Sequence, residues 1–531
     1  MDIADSYRVG NLNSALNASW SPFYSWILAV FLSVFHPSVA WEFPLVHWVN
    51  FILYLCSFFC FEFFINKLLA ASDRHSSSVR ALLYFVFLWT SLHLTTMNFG
   101  ADLCTSIFLF LALGILAQNI YTLHNRGRWI LYGVCLGFSY LSKTVMFPFS
   151  FFALAALWIP FGRKEAPRYA LLSLAGFLLV AMPFATALSI KKQRITYGEA
   201  GSIAYAWRVN KIEHFNYWFG SPDEKYGTPE HPPRILLQEP KTYEFDFPQN
   251  ATFPLWKDPS YWMEGRKIRV EVTNGLDVMR DNLTKRLPYY VKGPFLEGLI
   301  PCLLILFLAQ GRSRKRAPPI ILAVLFFSTV CVLTYAAVHI HGRYVAAFIA
   351  MICCSLICWL FKPDQEHKKL YAGICCAMAA IIALSFIQLA RRDLSGVGAN
   401  TYYPLEQYEV AEYLKKSGFL NGEKIAYAGP YRKMMNAGWA RLARLKIISH
   451  IDTDDLSWVQ NKETARNLTD RLKSYGIKAI ITQIPGAPAG SGWERINQTT
   501  YYVYSFKKRS TTMASDSSST SRATGNPWMD P

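Results

Sequence analysis

Asp2, Asp5 and Tyr7 open the chain, ahead of Trp20-Ser21-Pro22-Phe23-Tyr24. A carboxylate just before an interfacial helix can act as a general base on a hydroxyl acceptor; on the residues alone, two solvated acids in a frayed terminus are the favoured reading. Asp102 closes Asn98-Phe99-Gly100-Ala101-Asp102 at the mouth of an apolar run. A carboxylate at that depth is costly unless paired or metal-bound, although capping of the following helix would also favour it. Lys143 lies between two short apolar runs, where a cation suits a lipid phosphate or simply snorkels to the interface. The loop His339-Ile340-His341-Gly342-Arg343-Tyr344 offers an arginine fit for bidentate phosphate binding. It also offers two histidines two residues apart as ligands for a divalent metal, with no third ligand nearby.

Aromatic side chains supply a further set. Between Tyr197 and Trp262 the chain carries fifteen Tyr, Trp or Phe residues and a series of prolines. Tyr205 and Trp207 in this stretch, with Tyr7, are candidates to stack on a sugar or an acceptor. Aromatics also fill small cores and mark membrane interfaces.

The elements that must position these residues are membrane helices. Apolar runs of bilayer length or somewhat shorter occur near 44–66, 81–97, 103–121, 129–143, 146–161, 169–190, 294–310, 319–337, 344–361 and 370–389. Residues 22–36 are apolar but short, bracketed by Pro22 and His36-Pro37, and read as an interfacial or re-entrant helix. Short loops near 66–80, 122–129, 162–169, 310–318 and 362–369 hold fifteen Lys and Arg. Such loops stay cytoplasmic, whereas long segments translocate largely regardless of charge. The alternation predicts an α-helical polytopic membrane protein with about ten or eleven transmembrane helices and both termini outside. The expected organisation is an outer N-terminal segment over 1–43, membrane helices over 44–190, an outer aromatic-rich loop domain over 191–293 and membrane helices over 294–390. An extracytoplasmic α/β domain over 391–507 and a disordered Ser/Thr-rich tail over 508–531 complete it.

In that C-terminal domain, helices near 406–416, 433–444 and 461–475 alternate with strands at 424–428, 446–451, 477–483 and 501–507. The pattern suggests a small doubly wound sheet. It contains neither a GxGxxG nor a Walker loop, so nothing in it favours a nucleotide. The net charge of +18 sits largely in short loops facing lipid headgroups, which argues against nucleic acid as a partner. All eleven cysteines fall in apolar runs and none in the two long outer segments, so disulfides and structural zinc are not expected there. Sequons at Asn17, Asn250, Asn282, Asn467 and Asn497 all fall on the outer side, where most of the non-membrane chain also lies.

The order of these motifs resembles the GT-C superfamily of multipass glycosyltransferases. They run from the outer acidic segment through Pro22-Phe23-Tyr24-Ser25-Trp26, Asp102-Leu103 and Tyr140-Leu141-Ser142-Lys143 to the His339–Tyr344 loop. The likeness is greatest to the bacterial branch related to protein mannosyltransferases and lipid A aminoarabinose transferases, and it spans roughly residues 1–390. The resemblance implies transfer of a sugar from a polyprenyl-phosphate donor on the outer face, with inversion. It assigns the base to Asp5, with Tyr7 beside it, or to Asp2, and the second acidic position, near acceptor or metal, to Asp102. Lys143 and Arg343, with Tyr344, would hold the donor phosphate. The family ordinarily has a membrane helix ahead of its first acidic loop. An outside N-terminus therefore leads us to expect such a helix upstream of Met1, and the catalytic acid can lie there too.

The reading is a polyprenyl-phosphate-sugar-dependent glycosyltransferase of the plasma (inner) membrane, acting on a glycan, lipid or protein acceptor. No cofactor is fixed by the sequence, and use of a divalent metal stays open. Two rivals are a transporter or flippase of lipid-linked sugars and a non-catalytic membrane scaffold. A translocation pathway calls for intramembrane ionisable groups, and apart from Glu62 the spans hold few.

Overall fold

A computed structural model describes residues 1–72, 77–95, 100–120, 125–213, 218–220, 224–247, 251–291, 317–360, 405–484 and 492–507, with isolated positions between 301 and 391. It divides into two compact units. One comprises Met1–Pro233 with Phe247–Pro404, the other Arg234–Asp246 with Leu405–Pro531.

The first unit is helical. Its helices are α1 (Asp2–Arg8), α2 (Leu12–Ala15), α3 (Pro22–Phe35), α4 (Glu42–Ser72), α5 (Ser77–Thr95), α6 (Gly100–Asn119), α7 (Arg126–Ser142), α8 (Met146–Ala155), α9 (Trp158–Lys192) and α10 (Ala200–Arg208). Short helices at Pro254–Lys257, Pro259–Trp262 and Val272–Asp281 precede the long apolar helices Pro319–Ala336 and Gly342–Leu360. Among the described residues, five helices are long and apolar enough to cross a membrane, including α4, α6 and α9. Shorter apolar helices occur at Pro22–Phe35, Val79–Ser91, Met146–Ala155 and Ala372–Ile381. The expected span 294–310 lies almost wholly outside the described residues, and 370–389 partly so.

Two local differences have physical causes. The run 146–161 is not one helix. The ten-residue α8, about 15 Å long at 1.5 Å per residue, ends before Ala156 and Leu157, and α9 kinks at Gly162, where φ is +63°. The first residues, read as a frayed terminus or an outer acidic loop, form α1 instead; its Ala4 is fully buried in a cluster with Leu28, Leu32, Leu103 and Cys104.

Lipid is as apolar as leucine, so helices associate here through close packing and hydrogen bonds. A Cβ on Gly133 of α7 would stand 1.8 Å from the Ser173 carbonyl of α9, and one on Gly176 would stand 2.2 Å from the Ile130 carbonyl. Only glycine lets these two backbones meet. Phe61 packs against Phe87 and Phe110 with ring centroids 4.9 and 5.1 Å away, while Ser57 and Ser106 share a buried hydrogen bond of 2.8 Å. Glu62 accepts from Asn66 at 2.7 Å and pairs with Arg80 at 2.9 Å.

The second unit is a mixed sheet whose order, among the described residues, is β1-β2-β4-β3-β5-β7-β6. Its strands are β1 (Arg234–Leu237), β2 (Thr242–Glu244), β3 (Lys424–Ala428), β4 (Lys446–Ile451), β5 (Ile477–Thr482), β6 (Trp493–Arg495) and β7 (Tyr502–Ser505). The three central strands are parallel and nearly continuously buried, as parallel strands covered on both faces require. Antiparallel pairs flank them. The helix Lys462–Ser474 is capped by Asn461, whose side chain accepts from the Glu463 and Thr464 amides, and it buries Leu468 and Leu472. The sequence located β3 and β4 to the residue. It did not anticipate that residues 234–246 leave the aromatic-rich segment to pair with β4.

Candidate functional site

α7 ends at Ser142, and Lys143 leaves the helix in an extended conformation (φ −154°, ψ 120°) before α8 begins at Met146. Asp102 sits in the first turn of α6, where the helix dipole favours a carboxylate. A Cβ on Gly100, at the start of that turn, would fall within 2 Å of the Tyr24 ring, so α3 packs directly on the mouth of α6. Lys143 Nζ lies 2.5 Å from Asp102 Oδ1, and Arg343 Nε lies 3.6 Å from Asp102 Oδ2. One carboxylate, 6% exposed, therefore stands between two cations from elements far apart in sequence. Tyr344 forms the wall: its ring lies 3.8 Å from Lys143 Nζ and 5.0 Å from the Arg343 guanidinium, and it stacks on Tyr335 at 5.6 Å. Arg343 Nη2 also donates to the Tyr344 hydroxyl at 3.3 Å.

The positive charge continues past Tyr344. His339 meets Tyr344 edge-on at 6.0 Å, and Arg286 Nη1 donates to His339 Nδ1 at 3.3 Å. Arg208 stacks on Trp207 at 3.7 Å, and Trp207 lies 6.5 Å from His339. Burial, with Arg208 and Arg286 beside it, pushes the His339 imidazole down to about 3, so the ring is neutral at physiological pH. Because an arginine can only donate, the hydrogen of this neutral ring is on Nε2.

Of the residues singled out in the sequence, Asp102, Lys143, Arg343 and Tyr344 form one constellation, with Trp207 and His339 beside it. His341 packs against Tyr290 at 4.9 Å and Tyr344 at 5.5 Å. For the histidines as metal ligands the surroundings are adverse, since Arg208, Arg286 and Arg343 all bear on His339. Tyr205 accepts from the Glu271 amide at 3.4 Å. Tyr7 meets Trp26 edge-on at 6.1 Å. Asp2 accepts from the Thr252 amide at 2.7 Å and the Thr252 hydroxyl at 3.1 Å, which ties α1 to the 251–262 segment. Asp5 has a looser contact, 3.8 Å to Arg8. Lys257 closes this corner, buried and donating to Ser6 and Ser14 at 3.1 and 2.6 Å. The sequon residues Asn17 and Asn282 are both buried, donating to the Lys257 and Ala336 carbonyls, and this fold holds them away from any glycan.

Three functional-looking groups escaped the sequence. Arg208 and Arg286 carry a signal in retrospect, as cations beside an exposed tryptophan and just before the apolar run near 294–310. Glu230, His231 and Glu264 offer three ligand atoms within 4.8 Å of one another and could hold a metal. Glu264 is engaged there by His231 at 3.0 Å and Lys192 at 2.6 Å.

No protein-family model and no curated protein matches the chain. Solved structures do. ArnT from Cupriavidus metallidurans in the apo state is 11% identical with a TM-score of 0.52, over 94% of this chain and 91% of that one. ArnT bound to undecaprenyl phosphate is 12% identical with a TM-score of 0.46 over the same shares. The Archaeoglobus fulgidus oligosaccharyltransferase in complex with Zn and sulfate is 11% identical with a TM-score of 0.49, over 91% of this chain and 63% of that one. ArnT, a lipid A aminoarabinose transferase, and the oligosaccharyltransferase are both GT-C glycosyltransferases. The likeness to apo ArnT is one of fold, and it bears out the GT-C resemblance read from the order of motifs.

Proposed function

We propose that this chain is a membrane glycosyltransferase that moves a sugar from a polyprenyl-phosphate-linked donor to an acceptor at the extracytoplasmic face of the plasma membrane. The observation that carries the reading is the Lys143–Asp102–Arg343 constellation under Tyr344 in an apolar helical unit. In the proposed reaction an acceptor oxygen attacks the anomeric carbon as the bond from that carbon to the phosphate oxygen breaks. The sugar inverts, and the lipid phosphate leaves with one more negative charge. Lys143 and Arg343 meet that charge where solvent is scarce, which is where electrostatic stabilisation is strongest. Asp102 acts through them, fixing both cations before the donor arrives. Asp5 is the proposed base for the acceptor proton, because both oxygens of Asp2 already accept from Thr252.

The GT-C-like fold supports the same reading at the level of architecture. Glu62, the ionisable group that a flippase could have used within a span, pairs with Arg80 and Asn66 and gives that rival no support. The test is sugar release by purified protein from a series of radiolabelled polyprenyl-phosphate sugars with lipid, glycan and peptide acceptors. Turnover that Lys143→Ala and Arg343→Ala remove supports the proposal. Transport of the same lipids across vesicles without sugar release would replace it.

A further inference from the structure

We propose that Arg208 and Arg286 form a second phosphate subsite beside Lys143 and Arg343, so that the donor is a lipid-linked sugar diphosphate rather than a monophosphate. The inference rests on the reading that this site takes a lipid phosphate, and it specifies which one.

Charge balance is the first argument. Lys143, Arg343, Arg286 and Arg208 follow one another through Tyr344, His339 and Trp207, each step a direct ring or hydrogen-bond contact. Asp102 pairs with Lys143 and Arg343. Among the described residues, no carboxylate forms an ion pair with Arg208 or Arg286; Asp281, whose charge is felt at Arg286, is paired with Lys285 at 3.0 Å. Four cations against one carboxylate leave a surplus of three positive charges. Such a surplus in a partly buried site is stable only when an anion answers it. A released lipid monophosphate brings about 1.5–2 negative charges at pH 7, fewer than that surplus. The added charge of a diphosphate calls for the other two cations.

The second argument is the state of those cations. The Arg208 Nε is buried with no hydrogen-bond partner among the described residues, while its guanidinium carbon lies 3.7 Å from the centre of the Trp207 ring. A buried guanidinium donor left unanswered is costly, and a phosphate oxygen is the acceptor that its fork fits. Arg286 spends one nitrogen on His339 Nδ1, which orients the rest of its fork. The neutral ring so fixed presents Nε2–H as a further donor. Burial, then the charge of Arg286, holds the Arg208 guanidinium below its usual range.

The test uses the full chain in detergent or nanodiscs, with polyprenyl phosphate and polyprenyl diphosphate of one chain length as probes. Inorganic phosphate and pyrophosphate serve as arms that separate headgroup from lipid binding. The wild type should bind the diphosphate about tenfold or more tightly than the monophosphate, and pyrophosphate should compete better than phosphate. Arg208→Gln and Arg286→Gln should each remove most of that preference while monophosphate affinity stays within about twofold. Arg208→Lys and Arg286→Lys, which keep the charge, should retain part of it and serve as the folding control. Equal affinity of the wild type for the two lipids overturns the second subsite, as does an equal loss for both lipids in the Gln variants. If the wild type binds neither lipid, it is the donor reading itself that fails.

Discussion

Lys143 and Asp102, forty-one positions apart, meet at 2.5 Å, with the carboxylate 6% exposed and the lysine side chain 21% exposed. Removing one partner from such a pair strands the other in a poorly solvated place, which usually costs more than the pair itself contributes. Lys143→Met and Asp102→Asn should each lower the melting temperature in detergent, and the double variant should recover part of the loss. We expect a coupling of about 0.5–3 kcal/mol in the double-mutant cycle. Additive losses would mean that the two side chains do not sense one another.

Arg343 differs from Lys143 in what it can offer a phosphate, since its planar fork gives two parallel donors and lysine a point charge. Arg343→Lys should therefore weaken polyprenyl phosphate binding, and Arg343→Ala should weaken it further, by about 1.5–3 kcal/mol in total. Binding by calorimetry checks this. Equal affinities for wild type and Arg343→Ala would remove the residue from the site.

Asp2 and Asp5 lie one helical turn apart, yet their surroundings separate them. Asp2 holds the Thr252 amide and hydroxyl, so Asp2→Ala should cost about 1–3 kcal/mol of stability and leave measurable turnover in the folded fraction. Asp5→Asn should lower kcat by about a hundredfold or more, the usual contribution of a general base, with little change in melting temperature. The reverse pattern would exchange their roles.

Asp102, Lys143 and Arg343 were legible in the sequence as candidates, because each stands at the end of an apolar run, where charge is conspicuous. Their mutual distances were not legible, since those depend on how α6, α7 and the Gly342–Leu360 helix pack. Arg208 and Arg286 were missed for a different reason. Both lie in the segment 191–293 among many other Lys and Arg, where an isolated arginine looks like any solvated cation until Trp207 and His339 are folded against it. The strands β3 and β4 were readable as continuous apolar runs. The hairpin β1–β2 was not, because Arg234–Leu237 and Thr242–Glu244 are only four and three residues long and gain their place from pairing 200 residues downstream.

Gly133 and Gly176 set the separation of α7 and α9, and Lys143 hangs from the end of α7. Gly133→Ala and Gly176→Ala should each destabilise the protein by about 1–3 kcal/mol through overpacking, since the new methyl would meet a carbonyl oxygen at 1.8 or 2.2 Å. Donor affinity should fall with stability in these variants, because spreading the two helices moves Lys143 from Asp102. Thermal melts beside lipid-phosphate binding test both. Unchanged melting in the alanine variants would show that the pair tolerates a wider spacing.

His339 gives a pH signature whose sign is fixed by its surroundings. Its folded pKa is depressed from the model-compound range near 6.5 to about 3, by burial and then by Arg208 and Arg286. Above pH 6.5 the ring is neutral in both folded and unfolded chains, so it makes no pH-dependent contribution. As pH falls from 6.5 towards 3, the unfolded chain takes up a proton that the folded chain refuses. Stability is lost through that window at up to about 1.4 kcal/mol per pH unit, less what solvent screening removes at this partly exposed ring. His339→Asn lacks the titration. Its melting temperature should therefore gain on that of the wild type between pH 6.5 and pH 4, whatever offset separates them at pH 7.5. Parallel curves for the two proteins across this range would mean that the imidazole titrates normally and that the arginines do not crowd it.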